Sequence, residues 1–155
     1  METATNSSLS PLSWVDNELR AHNGQVIAHV NADLLVVNGN QLLLESAVGT
    51  GMGVARLRAT SDGGKVFTLR KASMTVRLLQ VTCGDRKYTL ERDSLWRTTR
   101  TIRSETGEAL GKIRTKISGV VEVSLFDAVS VPVADLAFFS YGCVLIDAAV
   151  KNLRY

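Results

Sequence analysis

The stretch ADLAFFSYGCVLIDAAV, residues 134–150, decides how the rest of this chain is read. It shows no alternation of apolar and polar residues, which argues against a half-buried strand. It is apolar on every face of a helix, which implies burial on all sides. Pro132 stands just before it, and Asp135 suits the positive end of a helix. A membrane-spanning helix needs about 20 apolar residues. Only eleven residues separate Asp135 from Asp147, and Lys151 follows soon after. A core helix over 134–150, with Leu145 fully enclosed, is therefore expected in preference to a membrane-inserted tail or a pair of central strands. Asp147 would lie near the end of that helix, where an unpaired charge is costly, so it should be tied to strand backbone or to an arginine.

Upstream, the chain is written in short period-two segments separated by turn residues. Strand signals cover 25–30, 34–37, 41–45, 54–60, 65–71, 75–83, 87–92, 96–103, 109–117 and 120–126. Asn38-Gly39 is a two-residue hairpin signal, because both residues tolerate positive φ. Alternation places Phe67 with Leu69 on one face and Trp96 with Ile102 on another, and turns Tyr88 with Leu90, and Ile113 with Thr115 and Ile117, inward. About ten strands joined by hairpin-length loops make an antiparallel meander the simplest topology, in a sandwich or a barrel.

At 155 residues the chain has room for one domain. Its 45% apolar and 21% charged content is that of an ordinary globular protein, so it needs no disulfide or metal staple. Residues 1–13 are rich in Ser, Thr and Asn and are expected to be a disordered tail, leaving 14–155 as the folded domain. The first residues carry Glu2, no Lys or Arg and no apolar run, so no signal peptide is expected. Cys83 and Cys143 lie in apolar surroundings and are expected as buried free thiols, which makes a cytoplasmic address the default.

Charge is uneven along the chain. Residues 1–55 hold one Lys or Arg against five Asp and Glu, residues 56–116 hold fifteen against six, and residues 117–155 hold two against four. Alternation in the basic middle third aligns Lys112, Arg114 and Lys116 on one outward face, and Arg97 and Arg103 on another. Such a face attracts anionic headgroups, at about 1 kcal/mol per basic residue. It can also follow nucleic-acid phosphates, or simply be solvated. His22 and His29 have no third ligand nearby, and no metal site is expected. Residues 49–53, GTGMG, lack the Lys-Ser/Thr of a phosphate loop and read as a plain loop. Glu91 and Asp93 sit among arginines and read as ion-pair partners rather than a general acid and base. No catalytic residue and no cofactor is implied.

Gly142-Cys143-Val144-Leu145-Ile146-Asp147, after an aliphatic-aromatic run, resembles the C-terminal helix of the phospholipid scramblases. YTLERDSLWRTTRTIRSETGEALGKIRTK, residues 88–116, is similar to the repeated hairpin of the LURP-one-related proteins. Both groups share the Tubby C-terminal-like fold, so the resemblance implies a closed antiparallel barrel of about 10–12 strands around a central apolar C-terminal helix. It spans most of 26–150, and only 142–147 is a sharp match. The chain lacks the calcium-binding acidic cluster and the Cys-rich segment of scramblases, so their activity is not implied. Tubby proteins bind a phosphoinositide through a Lys-x-Arg pair on a strand, and Lys112-Ile113-Arg114 has that form.

The function expected from all this is a non-catalytic binding or scaffold protein of the LURP-one-related or scramblase-like kind. It would contact anionic phospholipid headgroups or a protein partner through Lys112, Arg114, Lys116, Arg97 and Arg103, at the membrane periphery and without an integral span. The alternative is a nucleic-acid-binding β-domain that uses the 56–116 region, with Trp96 and Tyr88 as stacking platforms. A small-ligand barrel is disfavoured, because the apolar helix should fill its interior.

Overall fold

The computed structural model describes residues 3–5, 11–48, 54–72, 77–94 and 96–148. In chain order its strands are β1 (Thr3–Thr5), β2 (Leu12–Val15), β3 (Glu18–Arg20), β4 (Val26–Asn31), β5 (Leu34–Val37), β6 (Asn40–Val48), β7 (Val54–Ser61), β8 (Val66–Lys71), β9 (Leu78–Cys83), β10 (Arg86–Arg92), β11 (Thr99–Ser104), β12 (Ala109–Thr115), β13 (Val121–Leu125) and β14 (Ser130–Pro132). Helix α1 (Val133–Cys143) follows and runs on as a π-helical turn, Val144–Ala148.

Strands β2 to β13 pair each with the next, all antiparallel, and β13 returns to β2 with Val121 opposite Trp14 and Val123 opposite Leu12. The result is a closed twelve-stranded barrel with no free edge, and the fold is mostly β. Eight strands enclose only what side chains can fill. Twelve leave an axial space of helix width, and α1 occupies it. Phe138 and Phe139 are fully buried, and Phe138 meets Phe67 of the wall edge-on at 5.5 Å between ring centroids. The helix approaches the wall closely at Gly142, where a Cβ would stand 2.5 Å from Leu69 Cδ1. No helix among the described residues is long and apolar enough to cross a membrane.

Several boundaries differ from the sequence reading. The helix begins at Val133, and the stretch expected to be one α-helix changes to π-helical turns at Val144. Residues 149–150 lie outside the described residues. Leu145 is partly buried and packs against the core instead of being enclosed. Leu12, assigned to the tail, opens β2 and is fully buried, and Thr3–Thr5 pairs with β14. The unexpected strands β2 and β3 are joined by Asp16-Asn17, both at positive φ (50° and 65°). That pair is a hairpin turn written without glycine, so the usual signal was muted. Residues 49–53 and 75–76, read as loop and strand, lie outside the described residues.

Cys83 and Cys143 are free and buried in the core. Burial pushes both thiols well above the usual range. Their unfolded forms ionise near about pH 8.5, so stability is fully present below that pH. It falls as pH rises, by up to about 1.4 kcal/mol per thiol per pH unit, because the unfolded chain sheds protons that the folded one keeps. Urea midpoints should therefore drop between about pH 9 and pH 11. The native thiols should also resist alkylation. A flat profile or rapid labelling at neutral pH would show that they are accessible.

Candidate functional site

The helix is held at both ends by buried carboxylates. Asp135, in the first turn of α1, accepts from Arg86 Nε at 2.6 Å, Arg86 Nη2 at 2.9 Å and the Tyr88 hydroxyl at 2.6 Å. Burial and this hydrogen bond both push the Tyr88 phenol up, so it stays a neutral donor. At the other end Asp147 accepts from Arg100 Nε at 2.7 Å and Nη2 at 2.9 Å, and from Arg92 Nη2 at 3.3 Å. Both Asp147 and Arg100 are inaccessible to solvent. Burial alone would lower the Arg100 guanidinium, and the Asp147 carboxylate outweighs it and holds the charge.

Asp135 and Asp147 are twelve residues apart on the helix, a rise of about 18 Å. Their partners Arg86 and Arg92 sit at the two ends of β10, six residues or about 20 Å apart. The two ion pairs thus set the axial position of the helix against one wall strand. Axial slippage of the apolar helix would break both.

The barrel end at which α1 finishes also carries the loops β10–β11 and β12–β13. Asp93 N donates to Thr99 O (2.9 Å), Thr98 Oγ1 to Thr115 O (2.7 Å), Lys116 N to Val120 O (2.8 Å) and Gly119 N to Lys116 O (2.9 Å). The Thr98–Thr115 bond holds the two loops side by side, and the other three close each loop on itself. Between them lies an open groove of about 740 Å³ lined by Trp96, Arg97, Arg114, Lys116 and Ile117, among others. Trp96 is 93% exposed and Ile117 96% exposed. Ile117 was expected to point to the core, and Trp96 to share a face with Ile102. Each lies just beyond its strand, since β11 starts at Thr99 and β12 stops at Thr115. The alternation that buries Ile102 and Ile113 no longer applies to them.

Of the basic residues singled out in the sequence, the fold brings Arg97, Arg114 and Lys116 to this groove. Lys116 also reaches Glu122 at 3.1 Å. Lys112 points outward on the same strand but is engaged by Asp93 (2.7 Å) and Thr101 Oγ1 (2.8 Å). Burial alone would raise the Asp93 carboxyl, and the bonds from Lys112 and Thr101 hold it below the usual range. Arg103 lies farther along β11 and donates to Gly107 O at 3.1 Å, away from the groove. Lys112 and Arg114 do share one face around the buried Ile113, yet only Arg114 lines the groove. Tyr88, offered as a stacking platform, faces inward and packs on Phe139 at 5.2 Å, so it presents no ring to a ligand. Among the described residues no group of His, Cys, Asp and Glu could hold a metal ion.

Fold and rim together define a closed β-barrel with an axial helix, one end of which presents two exposed apolar side chains among cations. No family model matches the chain, and no curated protein or solved structure is significantly similar to it.

Proposed function

We propose that the protein is a non-catalytic binding module, built like the Tubby C-terminal-like proteins of the LURP-one-related and scramblase-like groups, that rests one barrel end on an anionic membrane surface. The observation that carries this reading is the exposure of Trp96 and Ile117 beside Arg97, Arg114 and Lys116. Large apolar side chains held out in water are costly unless something covers them. Tryptophan favours the headgroup region of a bilayer, and flanking cations add about 1 kcal/mol each at an anionic surface. The apolar helix plays no part in this contact, because the barrel already covers it.

The test is cosedimentation with phosphatidylserine vesicles, against neutral phosphatidylcholine, at low and physiological salt. Wild type should bind the anionic vesicles, more tightly at low salt. Arg97→Glu with Arg114→Glu and Lys116→Glu should abolish binding, and Trp96→Ala with Ile117→Ala should weaken it at both salts. Failure of wild type to sediment at low salt would overturn the reading. Retention of a single-stranded oligonucleotide instead would favour nucleic acid, with Trp96 as the one remaining stacking ring.

A further inference from the structure

We propose a second anion site on the outer wall of the barrel, formed by Arg56, Arg58 and Arg70, that takes a phosphate monoester. Arg56 and Arg70 stand directly opposite each other on β7 and β8, and Arg58 lies one pleat along, opposite Thr68. Like charges directly opposite in a sheet are destabilising. Six other cations of the barrel reach a carboxylate: Arg20 with Glu18, Arg86 with Asp135, Arg92 and Arg100 with Asp147, Lys112 with Asp93 and Lys116 with Glu122. Arg56, Arg58 and Arg70 are exposed and form no ion pair with a described carboxylate, although Glu45 faces Arg58 across the ladder. The sheet thus keeps an unfavourable pair that folding does not use.

The geometry points to the occupant. Cross-strand neighbours lie about 5 Å apart and alternate residues about 7 Å apart, so three guanidinium groups start within reach of one tetrahedral anion. Thr68 adds a hydroxyl donor and lines the grooves on both sides of β8, one of about 510 Å³ with Arg56, Arg58 and Glu45, the other of about 370 Å³ with Arg70, Lys87 and Glu105. Guanidinium forks bind phosphate oxygens in pairs, and a dianion satisfies more of them than a diester can. This site is independent of the rim bearing Trp96 and does not rest on the membrane reading.

Calorimetric titration with inorganic pyrophosphate at low salt tests it. Wild type should bind one equivalent saturably. Arg56→Gln with Arg70→Gln should weaken binding at least about tenfold, and Arg58→Gln on its own should weaken it measurably. Trp96→Ala with Arg97→Gln should leave it unchanged. Because the positions are exposed and mutually repelling, melting temperatures should not fall. Phosphatidic acid vesicles distinguish the source of the phosphate. Binding to them that depends on Arg56 and Arg70, with none to pyrophosphate, would assign the same chemistry to a lipid headgroup. No binding to either, or equal loss in the Trp96 and Arg97 variant, would overturn the site while leaving the phosphatidylserine experiment to stand by itself.

Discussion

Asp147→Ala should lower the unfolding free energy by about 3–5 kcal/mol, because it strands the Arg100 guanidinium in the core without a counter-charge. Arg100 is fully buried, and it also donates to the carbonyls of Arg77 and Leu90, each at 3.2 Å. Neutral carbonyls cannot replace a bidentate carboxylate. The mirror experiment, Asp135→Ala, should cost less, since the side chain of Arg86 is 31% exposed and can rehydrate. Replacing both partners, Arg100→Met with Asp147→Leu, should recover most of the loss, because an apolar pair of similar volume needs no counter-charge. Chemical denaturation of the three variants gives the comparison. A loss below about 1 kcal/mol for Asp147→Ala would mean that water reaches Arg100 and that the ion pair does not anchor the helix.

Phe138→Ala should cost about 3–5 kcal/mol. The ring is fully enclosed and stacks edge-on against Phe67, so truncation removes buried apolar area, a ring pair and the packing of the helix on β8 together. The closed wall is hydrogen-bonded all round and cannot collapse into the gap, which keeps the cost at the upper part of that range. Leu145→Ala is the internal control. Leu145 is only partly buried near the finish of the helix, so its loss should fall below that of Phe138. Equal midpoints for wild type and Phe138→Ala would show that the helix is peripheral to the barrel.

The strands from β4 to β13 were legible because one face of each is buried and the other is wet. Phe67 with Leu69, Tyr88 with Leu90, and Ile113 therefore point inward as their alternation requires. Asn38-Gly39 announced its hairpin through backbone freedom, and both residues take positive φ. Strands β2 and β3 were harder to see, since Leu12–Val15 and Glu18–Arg20 are too short for a period to register and are joined by Asp16-Asn17. The cationic site was legible only in part. Strand parity aligned Lys112, Arg114 and Lys116, but parity carries no information about which cations find a carboxylate on a neighbouring strand.

The sequence by itself pointed to residues 134–150 as a segment to be covered on every side, to short alternating strands as its cover, and to strand backbone or an arginine as the partner of Asp147. These follow from local composition and period, which act without knowledge of neighbours. Tertiary structure alone decided that Arg100 is that partner and that β13 closes on β2. It also turned Trp96 and Ile117 out to solvent beside Arg97, and set Arg56 directly opposite Arg70. Each of these depends on where strands end and on which register brings distant residues opposite one another, and register is set by pairing around the whole barrel rather than by any one segment.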